Sequence, residues 1–331
     1  VENKSKLNAP FPWFGGKRRV ADLVWDRLGP VDNYVEPFAG SLAVLLGRPD
    51  DGWQTGAETV NDADCYLANF WRALAADPEA VARFADQPVN ECDLVARHLW
   101  LVNTGRACIA QLEADPNFYN AQVAGWWVWG LNAWIGSGWC SGTGPHKLID
   151  GEVIDTRQLP HLGDTGRGVN RKLPHLGNRD QGGQLRPNPD LQDYFLALSE
   201  RLRRVRVCCG DWSRVITNGA LAFGDTVGVF LDPPYSGDVR AKDLYRVEGH
   251  DIAEAVRQWA IDNGGNKRLR IALCGYEAEH AGKMPPGWTV HAYRANRAYG
   301  SSNGKSDNSA NRTQERIWFS PHCVLNQPQL L

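Results

Sequence analysis

Four consecutive residues, Asp232, Pro233, Pro234 and Tyr235, end an apolar run, GVFL. A proline has no backbone N–H and fixes its own φ. A residue before proline is pushed to extended backbone, which here applies to Asp232. The corner therefore offers a carboxylate and carbonyl acceptors, with no N–H donor at either proline. That set suits a ligand –NH2 group, which has two hydrogens to give. Tyr235 adds a flat face on which a base can stack. The exocyclic amine of a nucleobase is a poor nucleophile, because its lone pair is delocalised into the ring. Two acceptors gripping its hydrogens would localise that pair and aim it. The competing reading is a proline turn capping a strand, with Asp232 as a helix cap.

A second candidate lies near the N-terminus, in VEPFAG at 35–40. A turn of this kind after a strand lets a ligand approach the backbone and a helix N-terminus. Asp62 follows Gly40 by about twenty residues, where a nucleotide-binding sheet places an acid for ribose hydroxyls. The strict GxGxxG fingerprint is absent, which counts against a nicotinamide dehydrogenase. An ordinary strand–helix turn is the alternative.

The elements that must position these residues follow from periodicity. Val20, Leu23, Val24 and Leu28 have helical spacing after the turn of FGGK. Tyr34 and Val35 read as a short strand, followed by a turn and an apolar helix. GAETVNDADCYLANFWRAL repeats strand, acidic turn and helix. Such alternation predicts a doubly wound α/β sheet. Five strand-like runs follow residue 204: RVRVCCGDW, TVGVFLDPPY, RLRIALCGY, TVHAYRA and ERIWFS. Between about 70 and 204 the rhythm breaks into helical runs, a tryptophan cluster (Trp126, Trp127, Trp129, Trp134, Trp139) and a Gly/Pro/Asn/Arg-rich stretch. That stretch repeats LPHLG at 159 and 173. The expectation is an α/β domain interrupted by a mostly non-sheet insert, with the tryptophans forming the insert's core.

The 331 residues suffice for one large domain or two smaller ones, and the net charge is -2. That charge excludes a generally basic nucleic-acid coat protein but not a local basic surface. The eight cysteines contain no CxxC pair, which argues against zinc. No secretory pattern is seen at the N-terminus, so free thiols in a reducing cytoplasm are expected. AGWWVWGLNAWIG is too short and glycine-broken to span a membrane.

The order PWFGGK (12–17), VEPFAG (35–40), Asp62, a long insert, DPPY (232–235), SSNG (301–304) and ERIWF (315–319) resembles the Dam-like DNA adenine methyltransferases. The resemblance covers roughly 1–70 and 205–320. It implies a Rossmann-like methyltransferase sheet made of 1–69 and 205–331, with a mainly helical and loop target-recognition insert at 70–204. It implies S-adenosylmethionine as methyl donor, S-adenosylhomocysteine as product, no metal, and the N6 amine of a flipped-out adenine in double-stranded DNA as acceptor. Carried over by position, Trp13, Gly15, Gly16 and Lys17 would lie at the cofactor, Lys17 near its carboxylate. Glu36, Pro37, Phe38 and Gly40 would form the cofactor turn, Asp62 would hold the ribose and Asp211 the adenine ring. Asp232, Pro233, Pro234 and Tyr235 would hold the target base. The family's second turn glycine is Leu42 here.

A DNA enzyme of this net charge must concentrate its positive residues. Arg157, Arg167, Arg171, Lys172, Arg179 and Arg186 face only Asp164 and Asp180 in 157–187. The run 294–316 has Arg294, Arg297, Lys305, Arg312 and Arg316 against Asp307 and Glu315. We expect the first run to read sequence. The second, with Ser301, Ser302 and Asn303, would grip backbone. A solvated loop is the alternative for the first. A monomer or weak dimer in a bacterial or phage-infected cytoplasm is expected, with a cognate restriction enzyme as a candidate partner. Rival readings are cytosine amino-methylation, methylation of RNA or of a protein glutamine, and a catalytically silent DNA-binding homologue.

Overall fold

A computed structural model describes residues 7–11, 13, 17–49, 56–115, 117–134, 139–140, 146–149, 152–155, 191–234, 249–293 and 315–325. The described strands are β1 (Asn33–Glu36), β2 (Ala57–Asp62), β3 (His146–Ile149), β4 (Glu152–Asp155), β5 (Val205–Cys209), β6 (Val227–Leu231), β7 (Leu269–Tyr276), β8 (Thr289–Ala292) and β9 (Glu315–Phe319). Seven form one sheet in the order β5-β2-β1-β6-β7-β9-β8. The first five are parallel, and β9 runs antiparallel to both β7 and β8. The doubly wound, mostly parallel α/β sheet expected from the sequence is what the chain forms.

The described helices are α1 (Ala21–Leu28), α2 (Ala43–Leu46), α3 (Cys65–Ala76), α4 (Pro78–Ala85), α5 (Glu91–Trp100), α6 (Arg106–Ile109), α7 (Ala121–Ala133), α8 (Leu191–Leu202), α9 (Gly249–Asn263) and α10 (Glu277–His280). Side-chain alternation along the strands explains how they layer. Val35, Val229, Leu231, Ile271, Leu273 and Trp318 share one core with Ile252, Val256 and Ala260 of α9. Their strand neighbours Tyr34, Phe230, Ala272, Cys274, Ile317 and Phe319 share the other core with residues of α1, α3, α7 and α8. All five residues of β6 are buried, as a continuous apolar run covered on both faces requires. No described helix is long and apolar enough to cross a membrane.

Trp127 and Trp129 are buried, and Trp126, Trp134 and Trp139 are half-buried against the core, so the tryptophans serve packing, as expected. Trp126 meets Phe84 and Trp100 edge-on. The position 69/70, expected as a domain boundary, falls inside α3. Phe70 and Trp71 of that helix pack with Phe11, Trp127 and Phe195 in the core under the sheet. The segment expected to be mostly non-sheet contains the antiparallel pair β3–β4, with Ile149 opposite Glu152. The two residues between these strands are Asp150 and Gly151, a strong hairpin pair.

His280 is fully buried against Trp318. Room for the ring comes from Gly275, where a Cβ would stand 2.1 Å from His280 Nε2. Burial, then the charges of Arg257 and Lys283, hold the His280 pKa down to about 4. An unfolded histidine titrates near ~6.5. The unfolded state therefore binds the proton first, and stability falls as pH drops from about 6.5 to about 4. The loss amounts to at most about 3 kcal/mol. Denaturant titrations at pH 7 and 4.5 should show it, and His280→Leu should remove most of it. An equally steep acid loss in the variant would exclude this histidine as the cause.

Candidate active site

The strand order reverses between β1 and β6, and open α/β sheets bind ligands in the crevice beyond such a point. Asn33 to Val35 of β1 pair in parallel with Val227 to Val229 of β6. The turn 37–40 leaves the end of β1, and Asp232, Pro233 and Pro234 leave the end of β6. Two motifs far apart in the chain thus emerge side by side.

The first turn is tight. Gly40 has φ +47°, and a Cβ there would stand 2.4 Å from Trp13 Cδ1. Trp13 therefore lies directly on the turn backbone, with Phe11 and Trp127 against its ring. Leu42, at the position of the family's second glycine, has φ 60° and ψ 25°. The chain keeps the left-handed backbone that a glycine adopts easily, at a cost of about 1–2 kcal/mol for leucine. The side chain is fully buried, which offsets strain by about 2 kcal/mol.

Beside the turn, the end of β2 acts as a clamp. Asn61 Nδ2 donates to the carbonyls of Pro37 and Gly210, both at 3.0 Å. The Asn61 carbonyl accepts from the Ala39 N–H at 2.9 Å. The ends of β1, β2 and β5 are fixed to one another by this one residue. Asn61 Oδ1 is buried with no partner among the described residues. The Asp62 carboxylate accepts from the N–H groups of Gly40 and Asp64, each at 3.0 Å. Burial raises the Asp62 pKa against these donors. Asp64 caps α3 by accepting from the Tyr66 N–H at 2.8 Å. Burial and the Asp62 charge push its pKa up to about 6. Sequence reasoning picked Asp62 and passed over Asn61 and Asp64, although NDAD shows all three.

At the third strand end, Asp211 is exposed and accepts from the Ser213 N–H at 2.9 Å, capping the short 3-10 turn Trp212–Val215. Trp212 stacks on Phe38, with ring centres 6.0 Å apart. The pair forms an aromatic wall between the β1 turn and the β5 loop, and Trp212 was not foreseen.

On the other side of the crevice, Lys17 Nζ is bonded to Asp232 Oδ1 at 2.9 Å. The lysine is 4% exposed and the aspartate 18%. The ammonium expected at the cofactor carboxylate is thus held by the acid of the second motif. Burial opposes its charge, but Asp232, Tyr293, Cys274 and Glu315 together hold its pKa well above the usual value. Glu36 is buried beneath the turn, accepting from Tyr34 Oη at 2.9 Å. Burial raises its pKa well above the carboxylate range, against donation from Tyr34 and the Leu45 N–H. Sequence reasoning missed Glu315, Tyr293 and Cys274. The available signal was an acid opening a strand that continues into an apolar run, ERIWF.

Several expected site residues lie outside the described residues: Gly15, Gly16, Tyr235, Arg157, Arg167, Arg171, Lys172, Arg179, Arg186, Arg297, Ser301, Ser302, Asn303 and Lys305. Trp13, Lys17, Glu36, Pro37, Phe38, Gly40, Asp62, Asp211, Asp232, Pro233 and Pro234 are described and cluster at the ends of β1, β2, β5 and β6.

Residues 13–93 match the family model of the D12 class N6 adenine-specific DNA methyltransferases. The match covers Trp13, Lys17, the β1 turn and the Asn61–Asp64 clamp. No curated protein matches the chain.

Leu42→Gly tests how the turn is balanced. It removes about 1–2 kcal/mol of strain and costs about 2–5 kcal/mol of buried side chain. We expect a lower Tm by several degrees in a thermal melt. A variant as stable as the parent would show that strain dominates.

Proposed function

We propose that this chain is an adenine-specific DNA methyltransferase that joins donor and target base in the crevice between β1 and β6. The observation that carries this reading is the parallel pairing of β1 with β6, which places the turn 37–40 beside Asp232. S-adenosylmethionine, when bound, supplies a methyl group on its sulfonium centre. The residues present suit such a group. Asn61 Oδ1 is an unused buried acceptor among the described residues, beside a turn that is packed tightly against Trp13 at Gly40. Asp62 and Asp64 would orient a sugar, Phe38 and Trp212 would flank a ring, and Asp211 would receive its amine. Glu36 supports the turn from beneath rather than reaching the donor.

The target adenine leaves the duplex to reach the corner. Asp232 and the Pro233 carbonyl accept the two hydrogens of its N6 amine, and neither proline presents a competing N–H. The lone pair is then aimed along the line of transfer, so catalysis is mainly positioning and directed hydrogen bonds. Tyr235 offers its face to the base. We assign catalysis to 1–69 and 205–331 and recognition to 70–204, with α3, α4, α7 and α8 fixing the recognition part to the sheet. The basic runs at 157–187 and 294–316 would track phosphates.

Four experiments test this. Asp232→Asn should slow methyl transfer by about 10²–10³-fold while donor binding by calorimetry stays unchanged; near-normal turnover would refute its role. Tyr235→Ala should be slower than Tyr235→Phe, and the reverse order would mean that the hydroxyl, not the face, matters. Nucleoside mass analysis of DNA after incubation with donor should give N6-methyladenine, and N4-methylcytosine instead would overturn the base assignment. Replacing Arg171 and Lys172 by alanine should weaken DNA binding and flatten its salt dependence by roughly one unit of slope per lost phosphate contact. An unchanged affinity across salt would remove this run from the interface.

A further inference from the structure

We propose that Glu315 is a positioning residue for methyl transfer, acting on Asp232 through Lys17. The inference rests on the reading of Asp232 as the grip on the target amine.

Four adjacent strands, β1, β6, β7 and β9, end in a row of polar side chains. Glu36 closes β1, Asp232 follows β6, Cys274 lies near the end of β7 and Glu315 opens β9. β9 runs antiparallel to β7, so its first residue stands at the same end of the sheet as the last residues of β6 and β7. The register pairs Cys274 with Ile317 and Tyr276 with Glu315. Cys274 and Ile317 belong to the core under α1, as does Phe230, two residues before Asp232. The two-residue period therefore sets Asp232 and Glu315 on the Lys17 side of the sheet.

The row is buried. Glu315 is 6% exposed, and the Tyr293 side chain lies beside its carboxylate and favours its charge. The Tyr293 N–H donates to the Glu315 carbonyl at 3.3 Å, and Lys17 Nζ stands 5.9 Å from the centre of the Tyr293 ring. Lys17 is the cation acting on Cys274, Tyr293 and Glu315, as well as the partner of Asp232. Burial raises the Glu315 pKa, and Lys17 opposes the rise.

Charge explains why a second carboxylate matters. A lone buried pair of ammonium and carboxylate roughly cancels its own desolvation cost. It would also neutralise Asp232 and weaken it as an acceptor for amine hydrogens. A second carboxylate acting on Lys17 shares the positive charge. It keeps the lysine protonated and in place, and it returns negative charge to the corner. Glu315 never touches the base; it sets where Asp232 points and how strongly it accepts.

The test is single-turnover transfer of labelled methyl to DNA by the full chain, with Asp232→Asn as control. Glu315→Gln should be slower by about 10–100-fold, the range for residues that orient a reacting group, with donor and DNA Kd and Tm unchanged. Glu315→Asp keeps the charge and should recover most of the rate. The wild-type rate should fall on the acid side as Glu315 protonates, and that limb should move in Glu315→Asp and vanish in Glu315→Gln. Glu36, Lys17, Asp232, Cys274 and Tyr293 stay in place in all three proteins, so a limb that does not move belongs to one of them and overturns the inference. Wild-type rate in Glu315→Gln with a slow Asp232→Asn sinks the Glu315 role alone. Wild-type rate in Asp232→Asn sinks the reading of Asp232 and this inference with it. If Glu315→Gln does not fold, the Glu315→Asp limb decides.

Discussion

A buried lysine is tolerated only where opposite charge meets it, and much of this active centre follows from meeting that need. Lys17 sits at 4% exposure with Asp232 at 2.9 Å. The pair ties the short turn Lys17–Arg19 to the end of β6. It also ties the start of the chain to a motif more than half the sequence away. Neither partner could be removed alone without leaving a buried or half-buried charge uncompensated, which costs several kcal/mol by the measured range of ~3–5. The polar row across β1, β6, β7 and β9 is what makes the burial affordable in physical terms: it surrounds one cation with several groups that favour its charge.

The opposite wall of the crevice is held by hydrogen bonds to backbone rather than by ions. Asn61 and Asp62 spend their side chains on Pro37, Gly210, Gly40 and Asp64. Each bond adds about 1 kcal/mol at most, so the set is better understood as geometry than as stability. Three strand ends are held in one arrangement, and Leu42 is held left-handed against its own preference. Strain of this size persists only where the surroundings fix the backbone. Here the fixing agents are the Asn61–Asp62 bonds and the apolar packing of the leucine.

What was legible in the sequence divides along the same line. Alternation and apolar runs gave the strands after residue 204, because a two-sided core covers β6 and β7 and most of β9. The DPPY and VEPFAG corners were legible because their residue types limit what backbone they can form. The Lys17–Asp232 pair was not, since strand periodicity says nothing of where a turn side chain reaches across the sheet. Glu315 was invisible for a related reason. An acid opening such a strand becomes meaningful only once β9 is known to run antiparallel to β7. The β3–β4 pair is different: Asp150-Gly151 between two apolar-bearing runs was readable, and the Gly/Pro-rich surroundings masked it. At Leu42 the local rule failed because tertiary burial outweighs a local preference.

The helical segment between β2 and β5 also bears on the turn. Trp127 of α7 meets Phe11, Trp13 and Phe70, with ring centres 5.2 to 6.2 Å apart. Trp13 in turn covers Gly40. A continuous aromatic path thus runs from α7 to the backbone of the β1 turn. Arg72 of α3 reinforces it by donating to the carbonyls of Leu112, Asp115 and Phe118, which fixes the chain entering α7. A displacement of α7 by even a fraction of a side chain would have to be absorbed by Trp13, because interiors packed to crystal-like density leave no slack. The segment between β2 and β5 is therefore part of what shapes the β1 side of the crevice.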